Sequence, residues 1–116
     1  MEAINLVDKD VKVLTATIAV DGTTSNAVLL YGATAIAITT PAAMVGTAFS
    51  FLGSVDGGLT FVAIRDSLNN LISYTFTANS GYPLEPRIFA GYDQIKVVSN
   101  DTETSAISFQ IKPFAI

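Results

Sequence analysis

Residues 47–64 read TAFSFLGSV-DGG-LTFVAI, two runs dense in Phe, Val, Leu, Ile and Thr around Asp56-Gly57-Gly58. Within the first run apolar and small polar residues alternate, the period-two pattern of a half-buried strand. Glycine adopts positive φ at little cost, so a Gly-rich break between two such runs predicts a β-hairpin. The rest of the chain repeats this grammar.

Upstream, Val11–Val20 predicts a first strand with Leu14, Ala16, Ile18 and Val20 on one face, ended by Asp21-Gly22. Ala27–Tyr31 and Thr34–Thr39 follow, separated by Gly32, and the second has the small-residue pattern of a strand buried on both faces before Pro41 stops it. Downstream, Asn69-Asn70 predicts a turn, because Asn tolerates the left-handed region. Leu71–Ala78 resumes as a strand with Ile72, Tyr74 and Phe76 aligned. Asn79–Asp93, with Pro83, Pro86, Gly81 and Gly91, reads as a loop with one helical turn near Arg87–Ala90. Gln94–Ser99 and Ala106–Phe114 close the chain, Ile107, Phe109 and Ile111 facing one way and Ser108, Gln110 and Lys112 the other. About eight short strands with a turn every ten residues or so predict an all-β, two-sheet antiparallel β-sandwich, jelly-roll-like, with a closed barrel as the alternative. Residues 1–10 read as an N-terminal arm and 11–116 as a single domain.

Composition limits the chemistry. Of 116 residues 50% are apolar and only 14% charged, against roughly 25% in ordinary soluble domains. Part of such a surface is expected to meet protein. The net charge of −4, with six scattered basic residues, argues against binding a phosphate backbone, so no nucleic-acid partner is expected. Without cysteine there is no disulfide, thiolate metal site or sulfur nucleophile. Without histidine the usual general base and the partner of a nucleophilic serine are both missing. The N-terminus lacks the basic start and long apolar core of a signal peptide. Gly22–Val55 is uncharged, but its Pro, Gly, Thr and Ser content and its alternation oppose a membrane helix, so no membrane partner is expected.

Glu85 with Asp93 or Asp66 are nominal carboxylate pairs for glycoside hydrolysis, but they sit at turns where carboxylates cap or face solvent. Asp8 with Asp10, and Asp101 with Glu103, offer oxygens to calcium without the remaining loop pattern. No enzymatic activity, cofactor or metal is expected. Tyr31 and Tyr74 read as core or cross-strand residues, while Tyr82 and Tyr92, in the long loop, are candidates for stacking on a sugar ring. Ile4, Leu6 and Val7 at one end and Pro113, Phe114, Ala115 and Ile116 at the other are apolar where tails are normally polar. Either both ends extend edge strands of the domain, or one or both dock on a neighbouring subunit. Ile4, Leu6, Val7, Phe114 and Ile116 are therefore the candidate partner interface.

DGGLTFVAIRDSLNNLISYTF (56–76), YPLEPRIFAGYDQIKVVSN (82–100) and SAISFQIKPF (105–114) together resemble small virion proteins of tailed bacteriophages. The shared features are a "DG.TF" hairpin, a "Y.L.P..F.G...IK..S" connection and a closing hydrophobic strand. They fall here on Asp56, Gly57, Thr60, Phe61, Tyr82, Leu84, Pro86, Phe89, Gly91, Ile95, Lys96 and Ser99, and Gly58-Leu59 lengthens the hairpin. About half the chain is covered. The resemblance implies a β-sandwich of the virion, a capsid decoration or cement module or a minor head or tail component, with the major capsid protein, other virion proteins and further copies of itself as partners. The alternative reading is a tail or fibre-associated domain that binds host glycan through the Tyr82 and Tyr92 loop.

Overall fold

The computed structural model describes residues 12–115, so Ile4, Leu6, Val7, Asp8, Asp10 and Ile116 lie outside the described residues. Nine strands and one short helix follow in order. They are β1 (Leu14–Ile18), β2 (Val28–Leu29), β3 (Ala33–Thr39), β4 (Ala48–Ser54), β5 (Val62–Ala63), β6 (Ser73–Thr75), β7 (Gly81–Pro83), α1 (Pro86–Phe89), β8 (Gln94–Ser99) and β9 (Ile107–Ala115). One sheet has the order β1-β9-β3-β7, and the other β2-β8-β4-β5 with β6 also on β4. Every pairing is antiparallel.

β5 and β6 are two halves of one broken strand. Leu52 pairs with Lys96 of β8 on one side and Ala63 of β5 on the other, and Ser50 likewise pairs with Val98 of β8 and Ser73 of β6. Both halves therefore lie along the same edge of β4, end to end. Counting them once, the chain passes between sheets at every step except the β4–β5 hairpin, which is the jelly-roll path. Residues 65–71 leave this edge as an excursion closed by the Arg65–Leu71 bridge.

The alternation read from the sequence fills the space between the sheets. Ala16 and Ile18 of β1 and Phe109 and Ile111 of β9 face Phe49 and Phe51 of β4 and Ile95 and Val97 of β8, all buried. Phe49 and Phe109 meet across the sandwich with ring centroids 5.2 Å apart, and Phe89 of α1 closes one side against Phe51 at 5.1 Å. β3 departs from strict alternation because its register shifts between Ala35 and Ala37. This bulge at Ile36 lets both Ala35 and Ile38 face inward, and the Ile36 carbonyl accepts the Leu84 N–H at 3.0 Å.

Several expectations are corrected. The 79–93 segment is not all loop, because Gly81–Pro83 pairs with β3 as β7; the helical turn falls at Pro86–Phe89. The C-terminal run is not an edge strand, since β9 lies between β1 and β3. The uncharged stretch folds into β2, β3 and β4, and among the described residues no helix is long and apolar enough to cross a membrane.

Candidate interaction surface

The sheet edges are closed to further pairing. Along β1 the Asn26 side chain replaces a strand, its Oδ1 accepting the Thr17 N–H at 2.8 Å and its Nδ2 donating to the Thr15 carbonyl at 3.3 Å. The Asn26 N–H donates to the Thr17 carbonyl at 3.2 Å. β7 ends at Pro83, β2 spans two residues, and the β5–β6 edge is interrupted by its excursion. These are the devices by which sandwiches avoid edge-to-edge aggregation.

Exposed apolar side chains do appear, and on braced loops. In the β4–β5 hairpin, Asp56 accepts the Ser54 hydroxyl at 2.7 Å, the Thr60 N–H at 3.0 Å and the Thr60 hydroxyl at 2.6 Å. Those donors, the Thr60 hydroxyl foremost, hold its carboxyl at about 2, below its ordinary value. In the excursion, Asp66 Oδ1 accepts the N–H groups of Leu68 and Asn70, each at 2.9 Å, and Asn69 takes the left-handed conformation at φ 67°. The Asn70 N–H is the main influence that lowers the Asp66 carboxyl. Leu59, 85% exposed, and Leu68, 80% exposed, project from these loops, with Val55, Val62 and Leu71 exposed along the same edge.

Across sheet order from that edge, a depression of about 510 Å³ opens on the β1–β2 side. Leu29, Tyr31 and Phe114 line it, and Lys12 and Lys112 are its charged lining residues. Tyr31 is 56% exposed and Phe114 57%. The Tyr31 hydroxyl accepts from Gln94 Nε2 at 2.7 Å, and the same amide reaches the Gly57 carbonyl at 3.0 Å, so this ring is held in place.

The two tyrosines singled out for sugar stacking are used in packing. The half-buried Tyr82 ring lies 5.4 Å from Phe49 and 5.6 Å from Tyr74, and its hydroxyl donates to the Thr75 carbonyl at 2.6 Å. Tyr92 lies in the notch that Gly53 leaves, so near that a Cβ there would stand 2.7 Å from its Cε1.

The three carboxylates weighed as catalytic pairs are each engaged locally. Glu85 caps α1 through the Arg87 N–H, Asp93 accepts the Gly57 N–H at 3.0 Å, and Asp66 braces its own loop. Glu103 is 1% exposed, and its oxygens accept the Val45 N–H at 2.8 Å, the Gly46 N–H at 3.0 Å and the Ser99 hydroxyl at 2.8 Å. Burial alone would raise its pKa, but these three donors outweigh it and leave the carboxyl below its ordinary value. With its own N–H bonded to Gly22 and its carbonyl to Asp21, Glu103 ties three loops together. Asp101, its calcium-reading partner, instead accepts the Thr102 N–H at 2.7 Å.

Sequence reading singled out Phe114 but passed over Leu59, Leu68 and Leu29. The available signal was leucine between turn formers, Gly58-Leu59-Thr60 and Asp66-Ser67-Leu68-Asn69-Asn70, where a side chain has no strand face to bury.

No family model and no curated protein sequence matches the chain. Among solved structures, it is similar to the SPBc2 prophage-derived protein YomS, with a TM-score of 0.54 and 9% identity over 88% of this chain and 93% of that one. It is also similar to CBM32-1 from a family 31 glycoside hydrolase of Clostridium perfringens, with a TM-score of 0.48 and 11% identity over 89% of this chain and 78% of that one. At 9% identity the fold is what is shared with the prophage-derived protein.

Proposed function

We propose that the chain is a non-enzymatic structural protein of a bacteriophage particle, a decoration or cement module that binds the capsid surface and further copies of itself. The observation that carries this reading is the pairing of closed sheet edges with leucines held outward on braced loops. A fold that blocks β-pairing yet fixes Leu59 and Leu68 toward solvent is prepared for side-chain docking, and loops ordered in advance lose little entropy on binding. Low charge supports the same reading, because a surface poor in ionic groups gains by being covered. The fold shared with a prophage-derived protein is in keeping with it. The glycan-binding alternative has less to stand on, since Tyr82 and Tyr92 serve packing. As a module bound to folded capsid only, it would stabilise the particle by mass action.

Co-sedimentation with isolated phage heads tests the proposal, together with a mass-spectrometric inventory of the particles made by the host that encodes the chain. Saturable binding to heads and presence in the particle are expected. A chain absent from particles and without affinity for heads would overturn it.

A further inference from the structure

Residues 40–47 carry the chain from β3 in one sheet to β4 in the other, and both ends of this crossover are fixed. At its start the Thr40 N–H donates to the Ser80 carbonyl at 2.9 Å, and the Pro41 carbonyl accepts the Asn79 N–H at 3.0 Å. At its end Asn100 Oδ1 accepts the N–H groups of Thr47 at 2.9 Å and Ala48 at 3.3 Å. Between these anchors, among the described residues, two hydrogen bonds join 42–46 to the rest of the chain, and both go to one carboxylate. Glu103 Oε1 accepts from the Val45 N–H at 2.8 Å and Oε2 from the Gly46 N–H at 3.0 Å. Packing holds the stretch lightly. Ala42, Ala43 and Val45 are exposed, Met44 is half-buried, and a cavity of about 200 Å³ is lined by both Met44 and Ile107.

The partners of this carboxylate, the two N–H groups and the Ser99 hydroxyl, are all neutral donors. The segments meeting there, 19–25, 40–47 and 99–105, carry no Lys or Arg, and their other titratable residues are Asp21 and Asp101. Asp21 meets Glu103 through its backbone N–H, and the Asp101 carboxylate accepts the Thr102 N–H. An ionised carboxylate accepts from all three donors, whereas a protonated one adds a donor of its own. The Ser99 hydroxyl and the Gly46 N–H share Oε2, so turning the hydroxyl to accept that proton still leaves the buried Gly46 N–H facing a protonated oxygen. Ser99 belongs to β8, paired with β4, so the movable member is the 42–46 stretch.

We propose that residues 42–46 are an acid-released flap, held closed by the ionised Glu103 carboxylate and freed when that carboxylate takes up a proton, with both sheets intact. The backbone bonds from Glu103 to Asp21 and Gly22 do not depend on ionisation, so the turn after β1 stays in place. Opening uncovers Met44 and Ile107, which pack against the core. The closed flap keeps the carboxyl below its ordinary 4.5, so closure is fully stabilised above that value and weakens as pH falls toward the closed-state value.

Amide hydrogen exchange, followed residue by residue by NMR and corrected for intrinsic rates, tests the inference. Protection of the Val45 and Gly46 N–H groups is expected to fall by about tenfold per pH unit below the ordinary value, while Phe51 and Phe109, on inner strands of the two sheets, keep theirs. In Glu103→Gln both flap amides are expected to exchange fast at neutral pH, with no further acid dependence. Should that variant fail to fold, Ser99→Ala removes one donor and keeps the carboxylate and both flap N–H groups, and is expected to shrink the acid dependence of the same two amides. Flap amides that lose protection only in step with Phe51 and Phe109, protection that ignores pH, or an acid dependence left unchanged in the variant would each overturn the inference.

Discussion

Asn26 stands where a further strand would pair with Thr17, its Oδ1 2.8 Å from the Thr17 nitrogen and its own nitrogen 3.2 Å from the Thr17 carbonyl. Because this edge is solvent-exposed, water can replace the lost bonds in Asn26→Ala, and the expected loss of stability is only about 1 kcal/mol. The larger effect should be on association through the uncovered β1 edge. Light scattering during prolonged incubation should rise for Asn26→Ala and stay flat for the parent chain. Equal scattering from the two would show that the side chain protects nothing.

Glu103 should make the fold acid-sensitive. Its folded-state pKa lies below the ordinary 4.5, so its stabilisation is complete above that value and is lost as pH falls through the folded-state value. Asp56 and Asp66 are lowered in the same direction, so comparison with Glu103→Gln isolates this one group. At neutral pH the variant should lose about 2–4 kcal/mol, because an amide cannot accept from all three donors. Urea unfolding at neutral and acid pH should show the gap between the two proteins narrowing as pH falls. A gap of constant size would refute ionisation as its cause.

How much of this was legible beforehand depended on whether the signal was local. The 56–58 turn, the Asn69 turn and the alternation of Gln94–Ser99 and Ile107–Ile111 are written in side-chain period and turn chemistry, and the structure follows them. Which strand takes an edge is decided by pairing between distant segments, so β9 could not be placed between β1 and β3 from its own residues. β7 was hidden because Gly81 and Pro83 are turn formers that an edge position tolerates. Glu103 read as one half of a surface acid pair, since nothing nearby in sequence announces that Val45 and Gly46 will supply its donors.

Gly53→Ala tests whether Tyr92 is a packing residue. The new Cβ would stand 2.7 Å from Tyr92 Cε1 and 2.9 Å from Ile64 Cδ1, so it should cost about 1–3 kcal/mol by overpacking. Tyr92→Ala in that background should cost less than Tyr92→Ala in the parent, because the ring is already displaced. Denaturant midpoints of the four proteins give the coupling. Strict additivity would mean that the ring does not depend on the Gly53 notch.

The hairpin glycines separate backbone strain from a side-chain clash. Gly57 has φ 74° and open space around a would-be Cβ, so Gly57→Ala should cost about 1–2 kcal/mol of left-handed strain and nothing more. Gly58 has φ 95°, and its Cβ would also stand 2.7 Å from Gln94 Oε1. Strain therefore comes with displacement of the Gln94 amide, which holds both the Tyr31 hydroxyl and the Gly57 carbonyl. Gly58→Ala should then alter the Tyr31 ring resonances in NMR spectra while Gly57→Ala leaves them in place. Gln94→Ala should also cost less in the Gly58→Ala background than in the parent chain. If both alanine variants left Tyr31 unmoved, the amide would not be what fixes that ring beside the depression.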